Sequence, residues 1–203
     1  MFSGIVQEIG TVKNLESRNK ILELTISCDQ LISNLKTGSS VSVNGCCLTV
    51  VEISKNSFEV EATEETLKKT NISSLQINSK INLELSLKAG DSIDGHLVLG
   101  HVDNIGKVKE IETFGENTLV TILFDEAFGK YIAPKGSIAI NGVSLTVIDV
   151  KNNTFSFTLI PFTRDNTNLG LLKIGDAVNL EIDVLSRYLV NYLESKKVIN
   201  SYA

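Results

Sequence analysis

The chain carries one phrase twice. NGCCLTV runs from Asn44 to Val50 and NGVSLTV from Asn141 to Val147, 97 positions further on. The same offset lays Asn56 and Phe58 on Asn153 and Phe155, and Thr66, Thr70 and Asn71 on Thr163, Thr167 and Asn168. It also lays Asn82-Leu83-Glu84 on Asn179-Leu180-Glu181. An offset of 96 aligns Gly4, Val6, Ile9 and Gly10 with Gly100, Val102, Ile105 and Gly106, so one residue has been gained or lost between the blocks. A unit of this length is too large for a solenoid repeat and has the size of a small complete domain. The duplication constrains the fold, because whatever one half forms the other must form as well. The 203 residues suffice for two cores of roughly 100 residues each.

Within each half the pattern is that of short strands. SVSVNGCCLTVVEI alternates Val41 and Val43 with serines, turns at Asn44-Gly45 and continues in β-formers, which predicts a hairpin, and SIAINGVSLTVIDV repeats it. KILELTIS, SFEVEA and KINLELSL are further strand candidates, with TLVTILF, TFSFTLI and AVNLEID as counterparts. Two brief helical interruptions are expected. Ser27 and Gln30 form a capping-box pattern before LISNLK, closed by Gly38, and Asp125 precedes EAFGKYI before Pro134. Many short strands with little room for βαβ crossovers imply an all-β protein of two small antiparallel barrels. At the carboxy terminus Leu185, Tyr188, Leu189, Tyr192 and Leu193 follow helical spacing. This helix has no repeat partner, and it either covers the end of its own barrel or joins subunits.

With 19 basic and 24 acidic side chains in no long run of one sign, neither a nucleic-acid footprint nor a membrane-binding patch is expected. The amino terminus lacks a secretory pattern and no apolar run approaches the ~20 residues of a membrane span, so a soluble, intracellular protein is expected. Cys46 and Cys47 are neighbours, a spacing that disulfide geometry bridges poorly, and reduced thiols are expected. Beyond each hairpin turn, alternation places Leu48, Val50, Leu145 and Val147 inward. Cys47, Thr49, Ser144 and Thr146 then face away from the interior. The two histidines, His96 and His101, stand in DGHLVLGHVD between the repeats. Five positions apart they would face opposite sides of a strand, which argues against a chelating pair. No Cys-x-x-Cys, G-x-S-x-G, G-x-G-x-x-G or phosphate loop is present. The residues by themselves reach a duplicated barrel protein with a polar strip on matching faces.

Seven fragments, MFSGIVQEIG, VNGCCLTV, ETLKKTNI, GHLVLGHVD, INGVSLTV, IPFTRDNTNLG and VNLEID, resemble the riboflavin synthase family in order and over essentially the whole chain. Asp94, Leu99 and the run Phe162-Thr163-Arg164 depart from its usual pattern. The resemblance implies two tandem Greek-key β-barrels, over residues 1–96 and 97–184, with an oligomerising helix and tail at 185–203. It also implies dismutation of two 6,7-dimethyl-8-ribityllumazine molecules to riboflavin and 5-amino-6-ribitylaminouracil, without cofactor or metal. A cytoplasmic homotrimer with sites between subunits is implied too, and association with lumazine synthase is left open. The amino-acid differences between the two hairpins would then give two like binding sites different roles.

Residue by residue, the resemblance implies reacting or positioning roles for Cys47, Ser144, His101, Asp183 and Lys135. Ligand contacts are implied at Phe2, Gly4, Ile5 and Val6, at Ser40, Leu48 and Thr49, and at Glu61, Ala62, Thr63, Glu64, Glu65 and Thr66. In the second barrel the matches are Gly100 and Val102 beside His101, Leu145 and Thr146 beside Ser144, and Thr158, Leu159, Ile160, Pro161, Phe162 and Thr163. The alternative is a lumazine- or flavin-binding protein of the same fold without catalysis, against which the retained LTV strips argue. A thiol redox sensor has only Cys46-Cys47 behind it.

Overall fold

The computed structural model describes residues 1–200; residues 201–203 of the helix and tail expected at 185–203 lie outside them. Six strands close the first barrel: β1 (Glu8–Arg18), β2 (Ile21–Ser27), β3 (Ser40–Val43), β4 (Cys46–Ile53), β5 (Ser57–Ala62) and β6 (Lys80–Leu85). Their spatial order is β1-β2-β5-β4-β3-β6, and β1 bonds to both β2 and β6. The second repeat uses β7 (Asn104–Phe114), β8 (Asn117–Leu123), β9 (Ser137–Ile140), β10 (Val143–Thr146), β11 (Asp149–Lys151), β12 (Thr154–Leu159) and β13 (Ala177–Ile182). Here the equivalent of β4 is broken, with β10 on β9 and β11 on β12. Backbone bonds from Lys135 to Val147, Val147 to Gly136 and Ile148 to Ser156 span the break. Short helices α1 (Glu64–Lys69) and α2 (Pro161–Asn166) follow β5 and β12, and α3 (Val184–Asn200) ends the described chain.

Alternation builds the two interiors as expected. Leu24, Ile26, Val41, Val43, Leu48, Val50, Phe58, Val60, Ile81 and Leu83 fill the first, and Ile122, Ile138, Ile140, Phe155, Phe157, Val178 and Leu180 the second. The cap expected at the first helical interruption fails. Ser27 and Gln30 form no capping box; the backbone N–H groups of Asp29, Gln30 and Leu31 instead donate to the Glu8 carboxylate at 2.5, 3.0 and 2.9 Å. Only a 3-10 turn at Ile32–Asn34 follows. A carboxylate reaching from β1 satisfies these donors better than a local hydroxyl, since charge-assisted bonds are about twice as strong as neutral ones. The second interruption forms as expected, with Asp125 accepting from the Ala127 N–H. The apolar stripe of α3 does not cover its own barrel. Leu185, Tyr188, Leu189, Tyr192 and Leu193 are 51–71% exposed. Among the described residues no helix is long and apolar enough to cross a membrane.

The two NG turns face each other. Asn44-Gly45 and Asn141-Gly142 have φ of +48° and +78°, and +45° and +79°, the type I′ geometry that matches strand twist. A Cβ on Gly45 would lie 2.6 Å from the Gly142 nitrogen, and one on Gly142 would lie 2.7 Å from the Gly45 nitrogen. Asn179 Nδ2 donates to the Asn44 carbonyl at 2.8 Å and Asn82 Nδ2 to the Asn141 carbonyl at 2.9 Å. The Asn168 N–H donates to Asn82 Oδ1 at 2.7 Å and the Asn71 N–H to Asn179 Oδ1 at 2.6 Å. Asn168 Nδ2 also reaches Asn44 Oδ1, and Asn71 Nδ2 reaches Asn141 Oδ1. All six asparagines are buried. Each bond adds only ~1 kcal/mol net, but losing one partner leaves a buried amide unpaired at ~1–3 kcal/mol. The network therefore specifies one relative placement of the barrels more than it adds stability.

Gly45→Ala combines a left-handed backbone with a backbone clash and should cost more than about 3 kcal/mol. Gly115→Ala, at φ +59° with nothing within 4 Å of the added carbon, should cost about 1 kcal/mol. Urea unfolding of the two variants measures the difference, and equal costs would refute the close contact.

Candidate active site

The segments that precede the two barrels are exchanged. Phe2 and Val98 form an antiparallel bridge, with N–H to carbonyl distances of 2.7 and 3.1 Å. From this bridge the amino-terminal arm runs to the second barrel, where the Ser144 N–H donates to the Gly4 carbonyl at 2.8 Å and Val6 joins the second core. The Leu97–Val102 arm runs the other way. The Cys47 N–H donates to the Gly100 carbonyl at 2.9 Å and Val102 packs on the first core. Gly100, His101 and Val102, which belong to the second repeat by alignment, thus stand against the first barrel. A pairing between consecutive arms, made through Phe2 and Val98, overrides position in the repeat. Glycine is required where the arms touch. Gly4 and Gly100 have φ of +77° and +79°, and a Cβ there would sit 2.7 Å from Ser144 Cβ or 2.5 Å from Cys47 Cβ.

Two buried carboxylates hold the arms. Glu84 on β6 accepts from the Ser3 N–H at 2.7 Å, the Ser3 hydroxyl at 2.9 Å and the Gly4 N–H at 3.1 Å. Glu181 on β13 accepts from the N–H groups of Leu99 at 2.6 Å and Gly100 at 2.9 Å. Burial raises both acids, against the stabilising backbone donors, and Glu181 is pushed up to about 7. Neither residue was given a role from sequence. The signal was there, in an Asn-Leu-Glu triplet kept in both copies and placing a charge on an otherwise buried strand.

At the candidate first half-site Cys47 is half-buried and Thr49 exposed, with Ser40 directly across from Thr49 in the strand register. Leu48 turns inward. Glu61 is exposed and Ala62 buried at the end of β5, and Thr63 caps α1 by accepting from the Thr66 N–H. Glu64 pairs with Lys20 and Lys68, and Glu65 with Lys69. The arm adds Gly100, Val102 and an exposed His101. In the second repeat Ser144 and Leu145 are half-buried and Thr146 and Lys135 exposed. Thr158 and Leu159 end β12. Ile160 precedes α2, where Pro161 occupies the first turn and Phe162 stands 73% exposed beside Thr163. Gly4, Ile5 and Val6 come from the arm. Among the described residues no three His, Cys, Asp or Glu side chains converge as a metal site.

The half-sites differ at corresponding positions. Cys47 faces Ser144 in the repeat, exposed His101 replaces exposed Ile5, and Phe162 replaces Glu65. Lys135 replaces Gly38 while keeping its left-handed backbone, φ +67° against +87°. An L residue there costs ~1–2 kcal/mol, a strain shared with other turn residues such as Lys20 at φ +70°. His96, passed over from sequence in favour of His101, adds a further asymmetry. Neither histidine lies in a strand. His96 Nδ1 is 2.7 Å from the Ser144 hydroxyl, and its Nε2 is buried with no partner among the described residues. Burial holds the imidazole below its ordinary pKa, partly offset by Asp183. Asp183 itself accepts from the Leu185 N–H at 2.9 Å and so caps α3. Asp103, just past His101, accepts from the Ile182 N–H at 3.0 Å and from Arg187 of α3 at 2.9 Å, which ties the helix base to the arm.

Comparison with known proteins bears on both repeats. A family model described as a lumazine binding domain matches residues 3–86 and 99–183. The chain is 38% identical to riboflavin synthase of Actinobacillus pleuropneumoniae over 97% of its own length and 91% of the relative. It is 41% identical to that of Brucella abortus, over 97% and 100%, and 36% identical to that of Bacillus subtilis, over 95% and 90%. Among solved structures, LumP complexed with riboflavin superposes with a TM-score of 0.85 at 26% identity, covering 90% of this chain and 99% of LumP. LumP complexed with 6,7-dimethyl-8-(1'-D-ribityl) lumazine gives 0.82 at 26% identity, over 89% and 98%. With both repeats matched, and relatives of this identity aligned along nearly their whole length, the chain belongs to the riboflavin synthase family.

Proposed function

We propose that the chain converts two molecules of 6,7-dimethyl-8-ribityllumazine to riboflavin and 5-amino-6-ribitylaminouracil. The observation that carries this reading is a pair of like half-sites with unlike side chains, Cys47 in one and Ser144 with His96 in the other. Two copies of one substrate need two related cradles, while donating and accepting a four-carbon unit needs the cradles to differ. In this reading residues 1–96 and 97–184 supply the two ligand-binding barrels and 185–203 the assembly segment. The exposed stripe of α3 supports an oligomer, and the resemblance makes it a homotrimer in which the first half-site of one subunit faces the second half-site of its neighbour. The expected compartment is the cytoplasm.

The chemistry starts with loss of a proton from the C7 methyl group of one lumazine, whose carbanion is delocalised into its ring. The partner ring is primed by addition of a nucleophile at the corresponding carbon. Ser144 suits this step, because His96, with its own proton on Nε2, is placed to take the hydroxyl proton at Nδ1 as the Oγ–C bond forms and to return it when that bond breaks and the serine leaves. Cys47 lines the other ring, and Lys135 stands in the second repeat where the first has Gly38. The products contain all the atoms of the two substrates, so no external oxidant or reductant is consumed. Backbone donors and acceptors along the arms and after β5 and β12 suit the amide-like ring edges, because a mismatched edge would leave buried polar groups unpaired. Phe2 fixes the arms from below rather than touching solvent.

Positioning should outweigh proton transfer, since aligning two reactants contributes ~7–11 kcal/mol and acid–base catalysis only ~10²- to 10⁴-fold. Cys47→Ser, Ser144→Ala and His101→Gln should therefore each keep measurable turnover when riboflavin absorbance is followed. A single one of them abolishing turnover with binding and assembly intact would contradict the ranking. Tyr188→Glu with Leu189→Glu should break the trimer in sedimentation and lower turnover further than any of the three. A wild-type protein that is monomeric and fully active would overturn the assembly. The similarity to LumP favours one second reading, a carrier, which stoichiometric binding of the lumazine without turnover would establish. Indifference to the lumazine with thiol-dependent behaviour would point to the redox sensor instead.

A further inference from the structure

We propose that Glu84 and Glu181 are positioning residues acting across the seam, each placing the reactive side chain of the barrel to which it does not belong. The path from Glu181 is short. It lies on β13 of the second barrel, its two oxygens accept from the N–H groups of Leu99 and Gly100, and the Gly100 carbonyl accepts from the Cys47 N–H of the first barrel. The path from Glu84 mirrors it. From β6 of the first barrel it holds the N–H groups of Ser3 and Gly4, and the Gly4 carbonyl accepts from the Ser144 N–H of the second barrel. Both carboxylates are 3% exposed, and each is bonded to the backbone of an arm at two successive residues. A Cβ added to Gly4 or Gly100 would lie 2.7 Å from Ser144 Cβ or 2.5 Å from Cys47 Cβ, so each arm packs directly beside the reacting residue.

Charge and symmetry of the acceptor both matter here. A carboxylate offers two acceptor oxygens to two parallel N–H donors, whereas an amide of the same shape offers one acceptor and turns an NH2 group toward the other donor. That donor would be buried and unpaired, and the arm would loosen on its reactive side. A purely structural carboxylate would disturb both half-sites together. A crossed positioning role predicts that each substitution disturbs the opposite barrel.

The inference rests on the proposed roles of Cys47 and Ser144, but its test needs no turnover. In the full chain, Glu181→Gln and Glu84→Gln are treated with iodoacetamide and the alkylation rate of Cys47 is read by peptide mass spectrometry, with buried Cys28 and Cys46 as internal references. Glu181→Gln should speed modification of Cys47 by roughly 10-fold, the share of one lost charge-assisted bond, while Glu84→Gln leaves it within about 2-fold. With Ser144→Cys as reporter at position 144, the order should reverse. Equal effects of the two substitutions at both reporters, no effect at either, or an uncrossed pattern would overturn the proposal. Glu181→Asp and Glu84→Asp, which keep the charge but shorten its reach, carry the same comparison should a glutamine variant not fold. A wild-type chain that makes no riboflavin would refute the function and leave the crossed pattern standing or falling on the alkylation rates.

Discussion

Two peptide backbones meet where Gly45 and Gly142 leave no room for a side chain, and the rest of the molecule is organised by that contact. Around it six buried asparagines satisfy one another across the seam, so the barrels have one relative placement rather than a range. Hydrogen bonds of this kind contribute little net free energy, and their weight lies in what happens when the seam slips, since every amide would then be buried without a partner. A duplicated protein could keep its halves as beads on a string. This one cannot, because its arms are exchanged and its turns interlock.

Once the halves are fixed about a local two-fold, small departures from symmetry acquire meaning. The frame repeats down to the hairpin turns, the arm glycines, the two clamping glutamates and the exposed pair Thr49 and Thr146, whereas several other side chains on the open face do not repeat. A serine backed by an imidazole stands against a thiol, a lysine in a glycine's conformation against that glycine, and an exposed phenylalanine against an ion-paired glutamate. Identical cradles would hold two copies of a molecule and treat them identically. A reaction in which one copy gives what the other receives calls for divergence of this kind between the two repeats.

Much of this was legible in the residues. The repeat announced two barrels, the NG dipeptides announced their hairpins, and alternation along SVSV, SFEVEA and TFSFTLI predicted the buried faces. The long strands β1 and β7 were not foreseen, because Gly10 and Gly106 and the bulges near Val12 and Val108 break the alternation. Glu8 as a cap, Glu84 and Glu181 as clamps and His96 beside Ser144 were hidden for a different reason. Each acts on residues 21 to 82 positions away, and no local motif encodes such a distance. The exchange of arms was hidden for the same reason. It is written only in glycines whose necessity appears when their neighbours are known.

The central claim is that unlike half-sites bring two copies of the same bicyclic compound together. A crystal structure of the assembled protein with bound 6,7-dimethyl-8-ribityllumazine tests it most directly. Two rings in contact, one against Cys47 and the other against Ser144, are the predicted result. Rings lodged apart, or paired between two copies of the same half-site, would contradict it.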